Sequence, residues 1–377
     1  MIDRFRYISY EQEIIFGPGS LAQLSEAVDR LAWNRILVCT NHSMQANGHL
    51  DTLRSALDSR LVAIFDQVQP HVQDVQVDQA IELAIAYEVD AVLGMGGGSP
   101  IGMAKAVGYA LSDAIPESDL VPIIAVPTTY AGSEMTAVYG ITHSRENPPR
   151  KVTVSDPKIA PRLVVYDPDL TLDLPPELTA STGINALAHC IEALYSIKRN
   201  PLSTAAATSG VRHIFNSLLR CYAHPDDLEA RTKMLEGAHL AGLSLASVSM
   251  GLHHGLCHVL GGTANIPHGI ANCIILPHAI RFNADATAPL LLPAAESMGI
   301  SLNGNNPMAV VEAIAQKIFD LVRQMHLPQR LRDAGVPLQE SDLPYLAQLA
   351  FQNSTIQNNP KPITEPAQIE ALLRAAW

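Results

Sequence analysis

The sequence predicts an α/β domain followed by a helical one. Two observations carry that reading. Up to about residue 165, short apolar runs rich in Val and Ile alternate with stretches of helical spacing. After Pro168 the strand signals fade and helical patterns take over. Runs that are apolar on both faces suit the buried strands of a parallel sheet, and strands alternating with helices suit an open α/β architecture.

The strands are expected at Ile36–Cys39, Leu61–Phe65, Asp90–Met95, Val121–Val126 and Arg162–Tyr166, with an extra one at Glu13–Phe16. The last of these early signals stops at Gly17-Pro18-Gly19-Ser20, where Ser20 can cap a helix. Helices are expected over Leu50–Leu57, Val77–Tyr87 and Pro100–Leu111, with Ser99 as N-cap. Later helices are expected over Thr182–Tyr195, Leu228–Ser247, Met308–Met325 and Glu365–Ala376. The domains are therefore drawn as 1–160, a dinucleotide-binding α/β domain with a parallel sheet, and 161–377, an all-α substrate domain. A cleft between two such domains is the default place for a ligand.

Composition removes several function classes. Of 377 residues 47% are hydrophobic, enough for a large core without staples. Acidic residues exceed basic ones by 37 to 25, so the footprint of a nucleic-acid-binding protein is missing. No basic clusters flank an amphipathic helix, and no run of about 18 apolar residues could span a bilayer. The opening MIDRFRYISYEQE has no apolar core, so no signal peptide is expected and the cytoplasm is the expected location. Five scattered cysteines without C-x-x-C spacing read as reduced core residues.

Met95-Gly96-Gly97-Gly98-Ser99-Pro100 joins an expected strand to an expected helix. Glycines let a ligand approach the backbone, and a helix N-terminus attracts phosphate. This is not the G-x-G-x-x-G spacing of the usual dinucleotide fingerprint. A second hydroxyl-rich loop, Pro127 to Glu134, closes the following strand and suits a bound nucleotide.

Asn185 and His189 lie four apart, as do His254 and His258, and His268 follows shortly after. Residues at that spacing share a helix face. Several histidines in otherwise apolar helical segments point to a metal or acid–base site. His253 and His278 fit the pattern less well and read as structural.

With these motifs in place, the chain resembles the iron-containing (group III) alcohol dehydrogenase family over essentially its whole length. The resemblance rests on Ile15–Gly19, Gly96–Ser99, Pro127-Thr128-Thr129, Gly132-Ser133-Glu134, Gly183–His189 and the stretch from His254 to His268. It implies a nicotinamide cofactor, with Gly96, Gly97, Gly98 and Ser99 at the pyrophosphate. Thr128, Thr129 and Ser133 would line the nucleotide site, and Lys151 would lie near the nicotinamide ribose. Asn41 stands where the family often has an acidic residue that repels a 2′-phosphate; the neutral side chain removes that repulsion, so NADH is the expected cofactor and NADPH is expected to be tolerated.

Within the family, the loop Pro127–Thr136 and the segments Asn185–Cys190 and Gly251–His254 are most similar to the maleylacetate reductase branch, which reduces a conjugated double bond in a small dicarboxylate during aromatic-ring degradation. Gly255 departs from that branch, which carries a lysine there. His268–Asn272 looks more like the general alcohol dehydrogenases, so a metal-dependent enzyme acting on a small alcohol or aldehyde is the rival reading. Arg145, Lys151, Lys198, Arg199, Arg281 and Lys361 are candidate anchors for substrate carboxylates. A homodimer is the family expectation.

Metal-dependent members use an aspartate and three histidines, which match Asn185, His189, His254 and His268. Losing that carboxylate forfeits about 4 kcal/mol at about 4 Å and an effective dielectric of about 20. No tightly bound metal is therefore expected, and only weak zinc or iron binding. Hydride addition to an enone needs donors at the growing enolate oxygen, for which His189, His254, His268 and the Asn185 amide are the candidates. His258 is the expected proton donor.

Overall fold

The computed structural model describes residues 4–113, 120–143, 145, 150–302 and 306–377. The chain forms two compact units. One comprises Ser9–Leu174, and the other Pro175–Trp377 with the residues before Ser9. The division falls later than residue 160, because the Leu163–Tyr166 strand and the turn after it pack with the sheet.

The first unit holds strands β1 (Glu13–Phe16), β2 (Ile36–Cys39), β3 (Leu61–Phe65), β4 (Ala91–Gly96), β5 (Ile123–Pro127), β6 (Val138–His143), β7 (Arg150–Ser155) and β8 (Leu163–Tyr166). Six of them make one sheet in the order β1-β8-β5-β4-β2-β3, with every pairing parallel. Alternation within each strand explains the unbroken apolar runs. Leu37 and Cys39 enter one core cluster, with Val92 and Ile123. Ile36 and Val38 enter the other, with Leu93, Met95, Ile124 and Val126. The inner strands β2, β4, β5 and β8 thus bury both faces, as a sheet covered by helices on both sides must, while the edge strands β1 and β3 are part-buried.

Helices Leu24–Arg30, His49–Leu57, Asp74–Ala86 and Gly98–Asp113 accompany the sheet. The last begins at Gly98, so Ser99 lies in its first turn and is not the N-cap expected from sequence. β6 and β7 form a separate antiparallel pair that the sequence pattern did not reveal.

The second unit is helical: Pro176–Tyr195, Pro201–Ala223, Leu228–Ser247, Leu252–Ala264, His268–Thr287, Leu292–Ser297, Pro307–Gln324, Leu343–Phe351 and Pro366–Ala375. The Pro176–Tyr195 helix is buried continuously from Gly183 to Tyr195. A helix apolar all round belongs in the middle of its domain. All five cysteines are free and buried. Among the described residues, no helix is long and apolar enough to cross a membrane.

Candidate active site

Topology selects the nucleotide end of the first unit. From β2 the chain runs outward to β3, then returns to place β4 on the other side of β2. The strand order therefore reverses between β2 and β4, and in open α/β sheets ligands bind beyond the strand C-termini at that switch point. Asn41 follows β2 and the glycine loop follows β4, so the structure brings these two expectations together. The Thr40 hydroxyl donates to the Met95 carbonyl at 2.9 Å, tying the two strand ends. Thr128 N–H donates to Gly96 O at 3.0 Å, adding the end of β5.

Within the loop each glycine has its own reason. Gly96 adopts φ +137°, a conformation side chains rarely take. A Cβ on Gly97 would lie 3.2 Å from Thr129 Cγ2, whereas on Gly98 it would meet nothing closer than Ala131 Cβ at 4.0 Å. The surface beside Gly98 is thus open for a ligand, at a helix end whose first N–H groups have no intrahelical acceptor. Gly94, which sequence reasoning passed over, is a packing glycine: a Cβ there would lie 2.7 Å from Ile101 Cα.

Asn41 precedes a short helix and accepts a hydrogen bond from the Ser43 hydroxyl at 2.6 Å. Ser133 lies in a loop held by a group sequence reasoning missed. Buried Lys105 directs its ammonium at the carbonyls of Ser133 (2.6 Å), Thr136 (2.7 Å) and Val138 (3.0 Å). Burial pulls Lys105 down to about 7, against the opposing pull of Glu134. Glu134 is buried too and accepts from the Tyr166 hydroxyl at 2.8 Å. A single lysine within the apolar Ile101–Leu111 helix was the available signal. Lys151 lies on β7, opposite Thr142, but its side chain is outside the described residues.

The second site is built in the helical unit. Asn185 and His189 share a face of the Pro176–Tyr195 helix, and His254 and His258 a face of Leu252–Ala264. His268 opens the next helix. The rings of His189 and His254 stack at 4.5 Å, those of His254 and His268 lie 6.1 Å apart, and those of His258 and His268 5.8 Å apart. Asn185, His189 and His254 are buried, whereas His258 is exposed. Burial first, then the neighbouring imidazoles, hold His189 and His254 well below the usual histidine range. Both rings are therefore neutral near pH 7. His253 instead bonds Asn272 Oδ1 at 2.6 Å, and the Asn272 amide donates to His268 O at 2.7 Å. Its structural reading fits that pairing.

Sequence reasoning also missed Glu192, one turn after His189. Its Oε2 accepts from His254 Nδ1 at 2.5 Å and from His254 N–H at 3.2 Å. Its Oε1 accepts from the N–H groups of Gly251 (3.1 Å) and His253 (3.2 Å). Burial pushes Glu192 up, and these donors pull it back. The signal was a lone carboxylate inside the wholly buried Ala186–Tyr195 stretch.

Among the described residues, no three His, Cys, Asp or Glu side chains are grouped to hold an ion. The reason is visible in the rings. His189 and His254 lie 11° from parallel, so their in-plane lone pairs run side by side and do not meet at one point about 2.0–2.1 Å from each nitrogen. With Asn185 neutral as well, the residues as arranged do not fit a closed metal centre.

Several candidate carboxylate anchors are already paired. Arg281 binds Glu312, Lys361 binds Asp285 and Arg145 binds Asp78.

The chain belongs to the iron-containing alcohol dehydrogenase family, and with it to the oxidoreductases. The family's dehydrogenase pattern, "Iron-containing alcohol dehydrogenase", matches residues 11–168, and "Fe-containing alcohol dehydrogenase family, C-terminal" matches 179–377. Among particular proteins, the chain is 36% identical to the maleylacetate reductase of Pseudomonas knackmussii, over 97% of this chain and 95% of that one. The crystal structure of maleylacetate reductase from Agrobacterium tumefaciens superposes with a TM-score of 0.86 at 33% identity, covering 100% of this chain and 98% of that one. A 1,3-propanediol oxidoreductase superposes at 0.92 with 30% identity, covering 99% and 100%.

Proposed function

We propose that the chain is an NAD(P)H-dependent maleylacetate reductase that converts the conjugated double bond of maleylacetate, or a closely related oxo-acid, to the saturated 3-oxoadipate-type product in aromatic catabolism. The observation that carries this reading is the histidine cluster with Asn185 in place of an anionic ligand, joined to similarity to maleylacetate reductases along the whole chain. Reduction of an enone needs hydrogen-bond donors and a proton source rather than a Lewis acid.

The reaction balances as follows. The bound dihydronicotinamide would supply a hydride, which would form a C–H bond at the carbon β to the ketone. The double-bond electrons move towards the carbonyl, giving an enolate. A proton then adds at the α-carbon, and NAD(P)+ is released. Glycine-loop amides at Gly97, Gly98 and Ser99 would bind the pyrophosphate, with Gly96 shaping the turn and Thr128, Thr129 and Ser133 lining the nucleotide. Asn41 would face the adenosine ribose, where a neutral side chain leaves a 2′-phosphate unrepelled, so NADPH is tolerated beside the preferred NADH.

The Asn185 amide and His268 supply donors to the enolate oxygen, and His189 packs against His254. His258 gives the proton, and its exposure lets solvent reprotonate it. His254 departs from the donor role expected of it. Its Nδ1–H is committed to Glu192, so Nε2 of the neutral ring offers a lone pair. The enzyme works in the cytoplasm as a homodimer.

Loss of NADH absorbance measured with maleylacetate, other enone dicarboxylates, and simple aldehydes tests the assignment. The reading expects turnover with maleylacetate and little with aldehydes. Efficient aldehyde reduction without enone reduction would replace it by the second reading, a metal-dependent alcohol dehydrogenase. One observation favours that alternative: a carboxylate behind a histidine is the usual support of a metal ligand.

A further inference from the structure

The Glu192 carboxylate has no role in hydride transfer or proton donation as described above. It sits buried, three residues after His189, with four N–H groups converging on its two oxygens. Every one of those partners is a donor. A carboxylate satisfies all four, because its oxygens only accept. Three of the four are main-chain amides at the start of the Leu252–Ala264 helix, so Glu192 also fixes where that helix begins. The fourth is the ring of His254.

We propose that Glu192 is a positioning residue that locks His254 in the Nδ1–H tautomer and in one ring orientation, so that the buried Nε2 presents a lone pair to the reacting ligand. The assignment follows from polarity. Oε2 can only accept, so Nδ1 carries the proton, and a neutral imidazole with Nδ1–H has an acceptor at Nε2. That Nε2 atom is buried and makes no hydrogen bond among the described residues. The ring cannot turn over without breaking the 2.5 Å contact, and it is stacked on His189. The site therefore receives a hydrogen-bond donor at this point, an O–H or N–H of the coenzyme or of a bound water, because the oxo-dicarboxylate itself offers only acceptors.

The effect on turnover rests on the reductase reading, but the tautomer does not. The experiment therefore uses two readouts on the full chain. Wild type, Glu192→Gln and Glu192→Asp are labelled with 15N at the histidine rings, and His254→Asn assigns the His254 signals. Wild type should show His254 protonated at Nδ1. Glu192→Gln is nearly isosteric but brings an amide donor towards the ring, so the Nδ1–H signature should be lost or mixed. With maleylacetate, kcat of Glu192→Gln should fall about tenfold, the scale of one lost charge-assisted hydrogen bond, while KM for NADH stays unchanged. Glu192→Asp, which keeps the charge, should recover part of the loss. A folded Glu192→Gln that retains the Nδ1–H signature, or that retains wild-type kcat, overturns the proposal. If wild type does not reduce maleylacetate, the ring signals still decide the tautomer, and only the substrate reading is lost. If Glu192→Gln does not fold, an Nε2–H signature in wild type overturns the lock and an Nδ1–H signature with a slowed Glu192→Asp supports it.

Discussion

Gly255 is the position at which the resemblance to the reductase branch leads one to expect a lysine, and the structure shows what stands in the way. A Cβ at Gly255 would lie 2.3 Å from Ile356 Cγ1 and 3.4 Å from Ile356 N. Ile356 is buried and begins a turn that leads to Asn359. Asn359 Oδ1 in turn accepts from Leu252 N–H at 3.2 Å, at the start of the helix that carries His254 and His258.

The magnitudes follow from those contacts. Gly255→Ala gains up to about 1 kcal/mol in helix propensity but overpacks a filled site at about 1–3 kcal/mol, a net loss of about 1 kcal/mol. Ile356→Ala alone costs about 2–5 kcal/mol through lost burial and the hole left behind. In the double variant the clash is gone, so the two losses should not add, and the coupling should be about 1–3 kcal/mol in favour of the pair. Chemical denaturation of the four proteins measures this cycle. Gly255→Lys should lower kcat by moving the Ile356–Asn359 turn and the histidine helix, while NADH affinity is preserved. Additive losses, or a Gly255→Ala variant more stable than wild type, would refute the packing argument.

Other expectations address the cofactor, the buried lysine and the metal. Gly98→Val places a side chain where the protein itself leaves room, so NADH affinity should fall more than tenfold at nearly unchanged stability; intact affinity removes the phosphate from this loop. Asn41→Asp should lower the ratio of NADPH to NADH catalytic efficiency, and an unaltered ratio means that residue 41 does not face the ribose. Lys105 titrates near 7 when folded, below its ordinary 10.5. Between those values the unfolded chain binds the extra proton, so this group's contribution to stability rises with pH, by at most about 1.4 kcal/mol per unit. The stability of wild type relative to Lys105→Met should therefore improve from pH 7 to 9, and a flat difference would contradict the buried titration. Activity should survive exhaustive chelation, and Asn185→Asp should bind zinc more tightly than wild type, read by calorimetry and by thermal protection; stoichiometric metal essential to wild-type turnover would reverse this.

Much of the molecule was legible in the chain because it rests on local periodicity. Buried strands such as Ile36–Cys39 and Leu163–Tyr166 announce themselves as unbroken apolar runs, since both faces of each strand are covered. Glycines after β4 mark a strand-to-helix junction by composition alone. Asn185 and His189, or His254 and His258, share a face by simple helical spacing. The sequence by itself therefore determined the two-part architecture, the glycine loop, the identity of the histidines and the family.

Other properties depend on residues distant in the chain, and only the tertiary structure decided them. The hairpin of β6 and β7 was missed because its pairing, and not the pattern of either strand, defines it. The reversal of strand order that places Asn41 beside the glycine loop is a matter of topology. Lys105 looked like one charge in an apolar helix until three carbonyls from the Ser133–Val138 loop surrounded it. The separation of 101 residues between Ile356 and Gly255 hid the contact that closes that site. Glu192 and His254 lie 62 residues apart, and no spacing rule links them. Their contact sets which ring nitrogen carries the proton, and so turns His254 from a donor into an acceptor. Periodicity reports which face a side chain takes, whereas polarity at a buried site is set by whichever group the fold brings to face it.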